Sequence, residues 1–128
     1  MTELPVFERT FEMVDLIAYA GATWDWHPLH YDPSYLKSVG LERPVVDGQM
    51  FGALLAKQIL DGFGPRAFIT SMKIRFTAMV FAGDTVRVTG VVTSESGPVA
   101  SVAQQIHAGE RLAVEASAEV RVPASDGT

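Results

Sequence analysis

The sequence predicts an α+β fold in which an antiparallel sheet wraps around one long apolar helix. Two changes of pattern predict it. Residues 48–60 are nearly free of charge, with Lys57 the only exception, and an apolar helix of that length is a buried one. After residue 65 the hydrophobic period changes to two, the mark of strands with one buried face. At 128 residues, 48% hydrophobic and 20% charged, the chain is sized for one core. Residues 1–128 are therefore read as a single domain, with a core over about residues 4–123 and a short flexible C-terminal tail.

Residues 4–11 read as a short strand or an extended lead-in. Met13, Leu16, Ile17 and Ala20 then form one apolar helical stripe, and Gly21 is placed to end that helix. Residues 23–47 are an aromatic-rich loop holding Pro28, Pro33 and Pro44, both tryptophans and two of the three histidines. Within it a helical turn is expected over 33–39, with Asp32 capping and Pro33 in the first helical position. The apolar helix follows, carrying Met50, Phe51, Leu54, Leu55 and Ile59 among the small Gly52, Ala53 and Ala56. Asp47 stands where an N-cap belongs, and Gly62, Gly64 and Pro65 mark the exit.

In the second half Met72, Ile74 and Phe76 alternate with Lys73 and Arg75, and Val86 and Val88 with Arg87 and Thr89. The clearest strand sets Leu112, Val114, Ala116, Ala118, Val120 and Val122 against Glu115, Ser117, Glu119 and Arg121. Reversals are expected at Ala82-Gly83-Asp84, Ser96-Gly97-Pro98 and Ala108-Gly109-Glu110. A flat sheet would leave the far side of the helix wet, so the sheet must curl round it, which is the hot-dog arrangement. Its open edges make pairing with a second copy, or with a related chain, the expected solution.

Composition excludes several functions. A formal charge of -5 leaves no electrostatic footprint for nucleic acid or an anionic membrane. The absence of cysteine removes thiolate catalysis, disulfides and cysteine-ligated metals. Glu3 and Glu8 break the N-terminal apolar pattern, so no signal or transit peptide is read there. No apolar run reaches the roughly 18 residues a membrane helix needs, and a cytoplasmic location is expected.

The densest polar chemistry lies in Asp25-Trp26-His27-Pro28-Leu29-His30-Tyr31-Asp32. Across a proline-bent loop Asp25 and His30 can converge on one small molecule such as a water, which a carboxylate and a neutral imidazole together polarise. The same two residues can instead simply brace the loop through backbone hydrogen bonds. His27 and His30 with Asp25 or Asp32 also imitate a two-histidine, one-carboxylate metal site, although the loop is explained without one and no metal is expected.

Three ordered segments carry a family resemblance: residues 21–33 (GATWDWHPLHYDP), 43–50 (RPVVDGQM) and 76–84 (FTAMVFAGD). Together they resemble the MaoC-like, (R)-specific enoyl-CoA hydratase family over roughly residues 10–92. The resemblance implies a hot-dog fold and reversible addition of water to a trans-2-enoyl thioester on coenzyme A or acyl carrier protein, without metal or redox cofactor. It matches Asp25 and His30 to the family's water-holding pair, and the Gly48 N–H to its oxyanion donor. A helix N-terminus suits that last role, because its free N–H groups and dipole favour negative charge; the alternative for Gly48 is close helix packing. An (R) product is inherited from the resemblance alone.

Two positions depart from the family pattern, His27 where Asn is usual and Asp47 where His is usual. A site-facing Asp47 would oppose a developing enolate, so Asp47 is expected to fold back on the helix. Trp24, Trp26 and Tyr31 either line an acyl channel or anchor the loop in the core. Lys37, Arg43, Arg66, Lys73 and Arg75 are candidates for coenzyme phosphates, and His107 reads as an exposed strand-end residue. The competing functions are a hot-dog thioesterase, disfavoured because residues 48–60 hold no Asp or Glu, and a non-catalytic acyl-binding subunit of a heteromer. Retention of Asp25 and His30 together argues against the latter. A homodimer is expected.

Overall fold

The computed structural model of the chain describes residues 2–123; the expected C-terminal tail lies outside them. Five strands form one antiparallel sheet: β1 (Phe7–Thr10), β2 (Phe68–Phe76), β3 (Thr85–Ser96), β4 (Val99–Ala108) and β5 (Arg111–Arg121), in the order β1-β3-β4-β5-β2. Three helices precede β2: α1 (Met13–Thr23), α2 (Pro33–Ser38) and α3 (Gln49–Phe63), with a short 3-10 turn at Pro28–His30. Among the described residues no helix is long and apolar enough to cross a membrane.

The two-residue periodicity becomes a sheet with one buried face. Val86 and Val88 of β3, Val102 and Ile106 of β4, and Val114, Ala116, Ala118 and Val120 of β5 are buried. They meet Phe51, Leu54, Leu55 and Ile59 of α3 in two clusters that share Met72 at their border. Each fully buried Leu or Ile there contributes roughly 1.5–3 kcal/mol. Gly97 and Gly109 turn the β3–β4 and β4–β5 hairpins with φ of 59° and 62°, a region that favours glycine.

Two buried polar side chains interrupt this core. Gln104 Nε2 donates to Leu55 O at 3.0 Å and to Gln58 Oε1 at 2.9 Å, and Gln58 Nε2 donates to Pro5 O at 2.8 Å and Val88 O at 3.2 Å. The pair therefore ties α3 to β3, β4 and the N-terminal segment. Gly90 leaves it room: a Cβ there would lie 2.7 Å from Gln58 Oε1 and 3.1 Å from Gln104 Cγ.

Four expectations are corrected. Gly21 does not end α1; the helix runs to Thr23, and Trp24 takes the left-handed cap at φ 59°. Gly21 instead gives space to the Trp26 ring, 3.7 Å from where a Cβ would stand. In the α1 stripe Leu16 and Ala20 are buried while Ile17 is 44% exposed, because the core meets a narrower face than the apolar spacing suggests. Phe76, on the inward alternation of β2, is 55% exposed, since α3 begins beneath it and leaves its outer side uncovered. Finally, α3 starts at Gln49, so Gly48 rather than Asp47 is the N-cap position.

Asp84 fastens the loop that leads into α3. Its Oδ1 accepts from Arg43 at 3.0 Å, and its Oδ2 from the Phe81 N–H at 3.0 Å and from Arg111 at 3.2 Å. Burial pushes the carboxyl up, but the Phe81 N–H and the two guanidinium groups outweigh it and hold it below the ordinary carboxylate value.

Candidate active site

Three segments converge at the N-terminus of α3. The first is the end of α1, where the Asp25 N–H donates to Ala20 O at 3.0 Å, so the left-handed cap at Trp24 also fixes where Asp25 begins. The second is the 3-10 turn, stabilised by the His30 N–H to His27 O at 3.1 Å and the Asp32 N–H to Pro28 O at 2.8 Å. The third is the strand-like approach to α3, held by the Val45 N–H to Leu29 O at 3.1 Å and the Val46 N–H to Val80 O at 2.8 Å.

His30 Nδ1 lies 2.6 Å from Val45 O. A carbonyl only accepts, so Nδ1 carries a proton, and in the neutral ring Nε2 presents its lone pair to the site. Asp47 Oδ2 stands 3.8 Å from that Nε2, too long for a direct hydrogen bond. Asp25, His30 and Asp47 each place one polar atom within 4.8 Å of the others. The convergence of Asp25 and His30 suggested by the loop is thus present, and Asp47 joins them.

Asp47 does two things at once. Its Oδ1 accepts from the Gln49 N–H at 3.0 Å, folding back on the helix as expected. Its Oδ2 nevertheless faces the site, which corrects the expectation that the carboxylate would turn away. A carboxyl group has two oxygens, and one position beside the helix start serves both.

The charges are coupled. Burial pushes the Asp47 carboxyl up, and Asp25 adds to this against the opposing Gln49 N–H and His30. Asp25 is held below its ordinary value, first by a hydrogen bond with Asp47 and further by His27 and His30. Tyr19 of α1 faces the same pair: burial, then Asp47 and Asp25, push its phenol up. Tyr19 was missed in the sequence, where one tyrosine beside the buried Ala20 carries no motif.

Gly48 opens α3. A Cβ there would lie 3.0 Å from the Phe76 ring, so the close packing weighed for this glycine is real, and it leaves the helix N-terminus beside the three polar groups.

A family model for the MaoC-like domain matches residues 3–116. The chain belongs to the MaoC-like domain family. It is 32% identical over 121 residues to an (R)-specific enoyl-CoA hydratase of Aeromonas caviae, covering 90% of this chain and 89% of that protein. It is 33% identical over 76 residues to a mitochondrial 3-hydroxyacyl-[acyl-carrier-protein] dehydratase of Arabidopsis thaliana, covering 59% of this chain and 45% of that protein. A solved (R)-hydratase from A. caviae involved in PHA biosynthesis superposes with a TM-score of 0.89 at 27% identity, over 95% of both chains. The hot-dog fold expected from the sequence therefore holds.

In this MaoC-like chain the remaining candidates divide. His27 braces the loop: its Nδ1 accepts from the Leu29 N–H at 3.1 Å and its ring meets Tyr35 edge-on at 5.6 Å. Asp32 caps α2 through the Ser34 N–H at 3.0 Å. Among the described residues the converging group is Asp25, His30 and Asp47, without His27, so the two-histidine arrangement is not formed. Tyr31 Oη donates to Trp26 O at 2.8 Å. Trp24 is 80% exposed and Trp26 42% exposed, so neither anchors the loop in the core. Arg43 is engaged with Asp84 and Ala82 O, whereas Lys73 and Arg75 lie exposed on β2, in register with Ser117 and Glu115. His107 is only part-buried, near the β4–β5 turn and paired with Arg87 and Leu112.

Proposed function

We propose that the chain is a hydro-lyase that adds water to trans-2-enoyl thioesters, or removes it from 3-hydroxyacyl thioesters. The observation that carries this reading is the Asp25–His30 pair at the N-terminus of α3, with the His30 lone pair turned into the site. In the hydration direction a water held by Asp25 and His30 Nε2 adds its oxygen to C3 and gives a proton to the pair. The double-bond electrons move toward the thioester carbonyl, whose oxygen becomes negative beside the Gly48 N–H and the positive end of α3. C2 then takes a proton from the pair, which closes the cycle. One such backbone donor is worth on the order of 3 kcal/mol in the transition state of other enzymes.

Coenzyme A or acyl carrier protein serves as the handle, and the reading needs neither metal nor redox cofactor. The similarity to an enoyl-CoA hydratase and to an acyl-carrier-protein dehydratase supports it. Residues 1–128 act in it as one cytoplasmic domain. A thioesterase is disfavoured because the only acidic residue of α3 is Asp61, in its last turn.

Trp24, Trp26, Phe76 and Met79 are exposed, and β2 is an open edge of the sheet. Both features favour a homodimer; a monomeric mass for the active protein in sedimentation would exclude it.

Reaction in ¹⁸O-water tests the chemistry. The product is expected to carry one ¹⁸O, on the C3 hydroxyl. Label in a free carboxylate, with release of the thiol, would instead establish hydrolysis.

A further inference from the structure

The hydration reading leaves the second carboxylate without a role, and the position of Asp47 supplies one. We propose that Asp47 is a positioning residue that shares one proton with Asp25, so that the working site carries a single negative charge and loses activity when that proton leaves. The inference rests on the hydration reading for its kinetic consequence and on geometry for the proton itself.

Two carboxyl groups and an imidazole crowd one small space. His30 Nδ1–H is committed to Val45 O, so in the neutral ring Nε2 only accepts. Asp47 Oδ1 is taken by the Gln49 N–H, and Oδ2 faces Nε2 at 3.8 Å. Asp25 completes a group whose atoms lie within 4.8 Å of one another. With both carboxyls ionised, two negative charges would stand that close together in a partly buried place, and like charges so placed disfavour joint ionisation. One retained carboxyl proton relieves that repulsion.

That proton belongs on Asp47. Only 13% of its side chain is exposed, so water does little for its charge. Asp25, by contrast, is held below its ordinary value, first by Asp47. The other titratable groups facing the pair are Tyr19 from α1 and His27 and His30 from the loop. Burial, then the same two carboxyls, push the Tyr19 phenol up, so it adds no further negative charge. The pair then puts one negative charge, not two, beside the place where the thioester oxygen becomes anionic.

Two measurements test this. In the parent, kcat/KM for a short trans-2-enoyl-CoA is expected to fall about tenfold per pH unit along an alkaline limb set by loss of the shared proton. Asp47→Asn is neutral at every pH, its amide oxygen can hold the Gln49 N–H, and its NH₂ can donate to Asp25. Its profile is expected to run flat through that limb. Asp47→Ala, which lacks both bonds, is expected to lose more than tenfold at all pH. Superimposable pH profiles for the parent and Asp47→Asn would overturn the proposal.

The second measurement does not depend on activity. The ¹³C carboxyl resonance of Asp47 is expected to titrate above the ordinary carboxylate range and to move down in Asp25→Asn. Titration of Asp47 together with surface carboxylates would overturn the shared proton. A parent inactive on every enoyl thioester, with Asp47 still titrating high, would instead overturn the hydration reading alone.

Discussion

Asp25→Asn and His30→Ala are each expected to slow hydration of a short trans-2-enoyl thioester by about 10²–10⁴-fold, the usual contribution of a positioned acid–base group. Asp25→Asn keeps the shape of the side chain, and its backbone anchor to Ala20 O does not involve the carboxylate. What it removes is the charge that polarises the water. His30→Ala removes the Nε2 lone pair together with the bond to Val45 O, a bond that contributes about 0.5–1.5 kcal/mol to stability. Both variants should therefore remain folded by circular dichroism, and their losses should not multiply in the double variant, because the two groups hold one water. A folded single variant within tenfold of the parent would remove its residue from the mechanism.

Gly90→Ala, at the one glycine within the described strands, is expected to produce a large loss of stability. The new Cβ would stand 2.7 Å from Gln58 Oε1, 3.0 Å from Leu4 Cδ1 and 3.1 Å from Gln104 Cγ. Gln58 is fully buried and Gln104 only 1% exposed, so neither can swing into solvent to make room. Overpacking of this kind costs about 1–3 kcal/mol. Breaking the Gln104–Gln58 bond while both stay buried costs about 1–3 kcal/mol more. The melting temperature is expected to fall by about 10 °C for a chain of this size. Gly52→Ala provides the contrast, since its Cβ would meet only Ile74 Cδ1 at 3.7 Å, and alanine in a helix interior gains up to about 1 kcal/mol over glycine. Equal melting temperatures for the two variants would show that Gly90 does not guard the glutamine pair.

The parts of the fold legible in the sequence are those decided locally. The charge-free stretch became α3, the alternation over residues 112–122 became β5, and Asp32 with Pro33 opened α2 as their side chains and φ preferences require. What local pattern did not show depends on contacts distant in sequence. Gln58 sits at a core position of α3 although glutamine is usually exposed, because Gln104 and two backbone carbonyls from other segments satisfy it. Gly21 carries the composition of a helix stop, but the Trp26 ring needs the space above it and Trp24 takes the cap.

The candidate site divides in the same way. Asp25 and His30 share one short loop, so their meeting could be expected from spacing. The loop itself did not show that His27 Nδ1 would be occupied by the Leu29 N–H. The double role of Asp47 depends on where the loop meets the helix start, and Tyr19 comes from a helix whose register is set by the core.

The most direct test of the central claim is the rate at which the purified chain removes the conjugated absorbance of a short trans-2-enoyl-CoA. The account predicts loss of that absorbance, with a product heavier by one water and the thioester intact. An unchanged spectrum across short, medium and carrier-protein-linked enoyl thioesters, from a folded chain, would contradict it.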